Sequence, residues 1–209
     1  MSFELSIDEG KFLIELARNA VKEYLQTKTQ LSPPENTPKK LFEPCGVFVT
    51  INKISKNGEK QLRGCIGYPY PTHPLVEAVI DSAINAATQD PRFYPLSKKE
   101  LDEVVFEVSV LTPPELIATD KPQEYLANFK VGEHGLIVEK GAFKGLLLPQ
   151  VPVEWGWCEE EFLCQCCMKA GLPPDTWLTK GTRIYKFKAI IFEEETPNGM
   201  VKRQSLKEK

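Results

Sequence analysis

Val47-Phe48-Val49-Thr50-Ile51-Asn52-Lys53-Ile54, the dipeptide Asn57-Gly58, and Lys60-Gln61-Leu62-Arg63-Gly64-Cys65-Ile66-Gly67-Tyr68 decide the fold class. The first run alternates as a strand, Asn-Gly is the strongest short hairpin signal, and the second run is the returning arm. Within that arm, alternation puts Leu62 and Ile66 on a core-like face and Arg63 and Cys65 on the other, a cation beside a thiol. Gly64 and Gly67 weaken a strand by entropy and mark a bulge or a place where another backbone or a ligand comes close.

Working outward toward the N-terminus, Ser6-Ile7-Asp8-Glu9 is a capping box. Phe12, Leu13, Leu16, Ala17, Ala20, Val21, Tyr24 and Leu25 then predict one apolar helical stripe to about Gln26. Pro33, Pro34 and Pro38 make 30–40 an extended connection. On the other side of the hairpin, a proline turn ends at Pro74 with His73 as the expected cap of a helix. That helix buries Leu75, Val76, Val79, Ile80, Ala83, Ala86 and Ala87 and turns Ser82 outward, and Asp90-Pro91 ends it. Val104, Phe106, Val108 and Val110 are the inward face of the next strand.

A second section begins near Lys121 with a short helix to Phe129. A hairpin follows over 135–139 and 143–148, entered at His134, and then a helix from Glu159 to about Ala170. A last long strand spans 184–192, and the tail after Glu195 is expected to fray. Hairpins and helices that do not alternate as strand, helix, strand favour an α+β protein, mainly antiparallel with flanking helices, over a parallel doubly wound sheet. The expected divisions are 1–40, 41–118, 119–195 and a tail at 196–209, built as two intimate lobes.

The 209 residues are 42% apolar, enough for a real core. Lys and Arg number 26 against 29 Asp and Glu, with both signs scattered, so no basic stripe invites nucleic acid. No apolar run approaches the roughly 18 residues of a membrane span, and no basic segment precedes an apolar one at the start, so the expected setting is the cytoplasm without membrane contact. Six cysteines are then read as reduced thiols.

Cys65 beside Arg63 has two readings. A neighbouring cation lowers a thiol's pKa and yields a nucleophile, a redox thiol or a soft metal ligand; alternatively the residue is a small buried hydrophobe. His134 is a general base or a histidine hydrogen-bonded within its turn, and Glu154 is an acid or base or a plain surface carboxylate. Asp90 and Arg92 either fix their loop as an ion pair or clamp an anionic ligand. Cys164, Cys166 and Cys167 fit a helix better than a metal site, with Cys166 on the buried stripe and the other two on its flank. Neither GxGxxG nor GxxxxGK followed by Ser or Thr occurs, so no motif supports a nucleotide or names a cofactor.

Leu62-Arg63-Gly64-Cys65-Ile66-Gly67, Asp90-Pro91-Arg92-Phe93, Ser109-Val110-Leu111-Thr112, His134-Gly135-Leu136, Leu148-Pro149-Gln150-Val151 and Glu154, in that order, resemble the AMMECR-type family. The match runs over 46–192. The resemblance implies a two-lobed α+β fold and supplies no reaction or catalytic residue. It implies an association with Memo-type and radical-SAM pathway proteins. The cysteine-rich run at 164–167 departs from the family pattern. Two functions follow as expectations. One is a small-molecule or protein-modifying enzyme, or an accessory to one, with Arg63, Cys65, His134 and Glu154 converging in a cleft. The other is a non-catalytic docking module in which Arg63, Gly64, Gly67, Asp90 and Arg92 meet a partner.

Overall fold

Ser6 opens the first helix as the sequence predicts. Its hydroxyl accepts the Glu9 N–H (3.2 Å) and its own N–H donates to the Glu9 carboxylate (2.7 Å), which satisfies two donors that a helix start leaves free. The computed structural model describes residues 4–55 and 57–204. In chain order the elements are α1 (Ile7–Thr27), β1 (Gly46–Ile54), β2 (Lys60–Tyr68), α2 (Leu75–Thr88), β3 (Val104–Leu111), β4 (Glu115–Leu116), β5 (Gly135–Lys140), β6 (Phe143–Leu147), α3 (Gln150–Trp155), α4 (Glu159–Lys169), β7 (Arg183–Phe187), β8 (Ala189–Glu194) and β9 (Val201–Arg203). Short 3-10 turns add Lys39–Phe42, Glu100–Glu103, Pro122–Ala127 and Pro174–Leu178.

The chain divides into two units, residues 4–111 with Ile190–Gln204, and residues 112–189. In the first, a five-stranded sheet of order β2-β1-β3-β8-β9 carries α1 and α2. β1 pairs antiparallel with both β2 and β3. Val47, Val49 and Ile51 with Val104, Phe106, Val108 and Val110 form the sheet side of the core, because alternation aims each set at the helices. Each fully buried apolar side chain contributes about 1.5–3 kcal/mol relative to exposure. Arg18 is a polar residue of α1 inside this layer. It forks onto Glu194, donates to the carbonyls of Leu101 (2.8 Å) and Val104 (2.7 Å), and Glu194 also accepts the Phe106 N–H (2.9 Å). The buried pair is thereby supplied with hydrogen bonds that offset its desolvation.

In the second unit a four-stranded sheet of order β4-β7-β5-β6 packs on α4 through Leu136, Val138, Ile184, Phe162, Leu163, Cys166 and Cys167. The α+β class with antiparallel hairpins is therefore what the chain adopts. Among the described residues no helix is long and apolar enough to cross a membrane.

Several local expectations are corrected. The expected long strand over 184–192 is two strands in different sheets, broken at Lys188, whose N–H donates to the Thr112 hydroxyl (2.9 Å) and whose carbonyl accepts the Thr112 N–H (2.9 Å). Those bonds take backbone groups that a continuous ladder would use. The tail does not fray directly after Glu195, since Val201–Arg203 pairs with β8; the part of that expectation at 205–209 lies outside the described residues. Pro74, not His73, is the N-cap of α2. Ser82, expected to face outward, and Cys167, expected on the flank of its helix, are both buried. The short helix expected at 121–129 is the 3-10 turn Pro122–Ala127, and a further helix, Gln150–Trp155, lies between the second hairpin and α4.

Candidate functional site

β2 lies at the edge of the first sheet, and its pairing with β1 slips by one residue in the middle. Leu62 faces Asn52 and Gly64 faces Ile51, so Arg63 is the extra residue of a bulge. Across a bulge the alternation resets. Ile66 packs on the helix side and Cys65 on the far side, as expected, but Leu62 joins Cys65 rather than Ile66 and is 41% exposed. Gly64 lies under α2, where a Cβ would stand 2.1 Å from the Ala86 carbonyl oxygen; no other residue lets the helix come so near.

The bulge also separates Arg63 from the thiol. Its guanidinium pairs with Glu100 (Nε to Oε1, 3.3 Å) and lies 5.9 Å from the Phe93 ring centre. Glu100 in turn accepts the Ser97 N–H (3.0 Å), the main cause of its lowered pKa.

Asp90 and Arg92 hold Cys65 by its backbone. The buried Asp90 carboxylate accepts the Cys65 N–H (2.9 Å), and an Arg92 Nη donates to the Cys65 carbonyl (3.4 Å). The two side chains are joined by two short charged hydrogen bonds (2.9 and 2.7 Å), and Asp90 also takes the Arg92 N–H (3.1 Å). Together they stand where a neighbouring strand's backbone would, closing the sheet edge at this residue. The Arg92 guanidinium is the main cause that holds the Asp90 carboxyl down at about 2. The clamp is built within the chain, which is the loop-fixing alternative of the sequence reading.

On the face of the sheet away from the helices, register sets Cys65, Thr50 and Glu107 in one row across β2, β1 and β3. The Thr50 hydroxyl donates to Cys65 Sγ (3.3 Å), and the Ser109 hydroxyl donates to Glu107 (3.3 Å). Gly67, Phe48 and Ser109 form the next row. The expectation of a thiol activated by Arg63 is corrected: burial pushes the Cys65 thiol up, Thr50 and the Arg92 charge pull it back, and Glu107 and Asp90 push it further up. Half-buried and carrying its proton at neutral pH, Cys65 is a thiol rather than a thiolate.

His134 and Glu154 belong to the second unit. The Lys130 N–H donates to His134 Nδ1 (3.2 Å) and the Lys130 carbonyl accepts the His134 N–H (3.0 Å), so the ring closes its own turn. Burial is the main cause that lowers its pKa, with Lys186 and Lys188 acting the same way. With Nδ1 accepting, the neutral ring carries its proton on Nε2 and offers a donor, not the lone pair a general base needs. Glu154 is an exposed residue of α3. All six cysteines are free thiols, and among the described residues no group of three or more His, Cys, Asp or Glu is disposed to hold a metal.

A family model described as AMMECR1 matches residues 14–192. The chain belongs to the AMMECR1 family. Protein PH0010 of Pyrococcus horikoshii is 56% identical over 206 residues, 99% of this chain and all of that protein. A protein of Methanopyrus kandleri is 50% identical over 211 residues, spanning 100% of this chain and 99% of its own. The crystal structure of the uncharacterized protein PH0010 superposes with a TM-score of 0.93 over 97% of this chain and all of that one.

Within this AMMECR1-family chain, Thr50, Glu107, Ser109 and Glu100 are the site residues that sequence reasoning missed. Counting back from the Asn57-Gly58 turn without a bulge sets Cys65 opposite the core residue Val49; the bulge moves it opposite Thr50. Glu107 and Ser109 carried a signal, since they interrupt the alternating valines of β3 on its non-helix face.

Proposed function

We propose that the Cys65-Thr50-Glu107 row is the reacting centre of a small-molecule or protein-modifying enzyme, or of an accessory to one. The observation that carries this reading is a thiol whose backbone is clamped by Asp90 and Arg92 while its sulfur accepts a hydroxyl hydrogen bond in a row that ends in a carboxylate. Polar groups on a sheet face are expensive to bury and mark function where packing does not ask for them. In this reading Sγ attacks an electrophilic carbon as the neutral thiol. The carbon is one end of a polarised double bond: the S–C bond forms as the π bond opens onto its far atom, and the thiol proton moves through the Thr50 hydroxyl toward Glu107, two strands away, whose charge reaches the sulfur. His134 and Glu154 take no part.

The test is labelling of Cys65 by a chloroacetamide probe at neutral pH, read by peptide mass spectrometry. Glu107→Gln removes a charge that raises the thiol's pKa, so an electrostatic neighbour alone predicts faster labelling. A base predicts slower labelling, which is the expected result. Faster labelling sinks the base role, and complete protection of Cys65 in the native protein sinks the reading.

A docking module is the second reading. It is favoured by Tyr94, 90% exposed and close in sequence to Arg92, since Tyr and Arg are enriched at binding hot spots. Both arginines are paired within the chain, Arg63 to Glu100 and Arg92 to Asp90, but Arg63 is mostly covered and Arg92 half-exposed, so Arg92 is the one a partner reaches, with the Memo-type and radical-SAM pathway proteins as the partners to try. Retention of all partners by both Arg92→Ala and Tyr94→Ala in affinity purification removes this surface from the interface.

A further inference from the structure

The first unit holds a polar cavity that shares no residue with the Cys65 row. Its volume is about 210 Å³, and its walls come from α1, from the 98–102 turn before β3 and from Asn198 in the β8–β9 connection. The buried residues Arg18, Leu25 and Leu101 form its floor. A guanidinium has five N–H donors. In Arg18, Nε donates to Glu194, Nη2 to Glu194 and the Val104 carbonyl, and Nη1 to the Leu101 carbonyl, so one N–H of Nη1 has no partner among the described residues. Of the residues that Arg18 bonds, only Leu101 lines the cavity, so Nη1 is the end of the guanidinium nearest to it. A buried N–H without an acceptor is costly, and one that borders a cavity can be satisfied by what enters.

Lys22 and Lys98 stand on the rim from two different segments. Both are exposed, and neither makes an ion pair or hydrogen bond among the described residues. An exposed, unpaired lysine is ordinary; two that bracket a cavity floored by a buried guanidinium with an open N–H are a set of donors that converge. The side-chain amides of Asn19, Gln26 and Asn198 join them, also without partners among the described residues. Asp102 is the carboxylate of the rim, and Glu194 stands behind Arg18. Arg18, Lys22 and Lys98 thus face Asp102 and Glu194, three cations against two carboxylates. Outside the lining, Lys99 follows Lys98, Glu15 lies one turn before Arg18, Glu23 follows Lys22, and Glu103 is paired with Lys53.

Donors that arrive from three segments surround a point rather than a plane. A phosphoryl group accepts around a tetrahedron, whereas a carboxylate accepts in one plane and suits a forked arginine, and lysine binds phosphate as a point charge. The volume is below the roughly 300–1,000 Å³ of sites for drug-sized ligands, which excludes a nucleotide. We propose that this cavity binds a small phosphate monoester, with the phosphoryl oxygens on Lys22, Lys98 and the open N–H of Arg18, and a hydroxyl of the ester donating to Asp102.

The experiment is isothermal titration calorimetry of the full chain in phosphate-free buffer at fixed ionic strength, with glycerol 3-phosphate, inorganic phosphate, succinate and glycerol as titrants. Saturable binding is expected from both phosphates, tighter for glycerol 3-phosphate, and at least tenfold weaker binding from succinate and glycerol. Lys22→Met and Lys98→Met, which keep the apolar stems at exposed positions, should each lose about tenfold in affinity for both phosphates, and Lys99→Met, outside the lining, less than twofold. Asp102→Ala should abolish the preference for the ester and leave inorganic phosphate bound at least as tightly. Failure of the ester to saturate, succinate or inorganic phosphate binding as tightly as the ester, unchanged affinity in either lining variant, or an equal loss in Lys99→Met overturns the proposal. None of these variants alters a residue of the Cys65 row.

Discussion

Each unit presses a helix onto a strand glycine and keeps a thiol in that layer, yet the two thiols have opposite surroundings. In the first unit Gly64 of β2 admits α2, and the thiol sits on the strand, one residue on, with Sγ on the far face beside Thr50. In the second, Gly145 of β6 admits α4, where a Cβ would lie 2.5 Å from the Ala170 nitrogen and 2.6 Å from the Cys166 carbonyl oxygen. There the thiol is on the helix and points at the sheet. Cys166 Sγ donates to the carbonyls of Leu136 and Gly145 (3.5 Å each), and burial drives its pKa to about 12 and that of Cys167 to about 11. A cysteine on the inner side of such a layer is a small core residue, and one on the outer side acquires polar neighbours.

The largest effect expected is from the glycines. Gly64→Ala drives a methyl group into helix backbone that cannot rotate away, and about 3 kcal/mol of stability should be lost; Gly145→Ala, with a wider gap, should lose about 2 kcal/mol. Urea unfolding of both variants measures the difference, and the reverse order would break the parallel between the two layers.

Next comes the clamp on Cys65. Asp90 has a folded pKa of about 2 against an ordinary 3.8, so its contribution is present above the ordinary value and lost as pH falls through the folded one. Asp90→Asn should lose about 2 kcal/mol at pH 7, and the gap from the parent protein should close between about pH 4 and pH 2. A gap that persists at pH 2 would show that Asp90 acts through packing alone.

The smallest effect sharpens the thiol contrast itself. Half-buried Cys65 should be alkylated before the buried Cys166 and Cys167, Cys167 should follow before Cys166 as pH rises, and Thr50→Val, by removing the donor to Sγ, should slow Cys65 by about tenfold or less. Peptide mapping after timed labelling reads all three. Simultaneous labelling of Cys65 and Cys166 would erase the distinction between the two environments.

The amino-acid order alone determined the elements whose signals are local. The Ser6-Glu9 box, the apolar stripes of α1 and α2, the Asn57-Gly58 hairpin and the alternating valines of β3 each rest on residues a few positions apart, and with them came the α+β class. Tertiary structure alone decided what depends on residues far apart in sequence. The bulge at Arg63 set Cys65 opposite Thr50 and in line with Glu107, and sent Arg63 to Glu100 instead of to the thiol. Asp90 and Arg92 reached back 25 and 27 positions to hold Cys65. The bonds of Lys188 to Thr112, 76 positions away, divided one apparent strand between two sheets. Periodicity reports which face a residue takes; strand register and the pairing of distant polar groups are settled only when the sheet assembles.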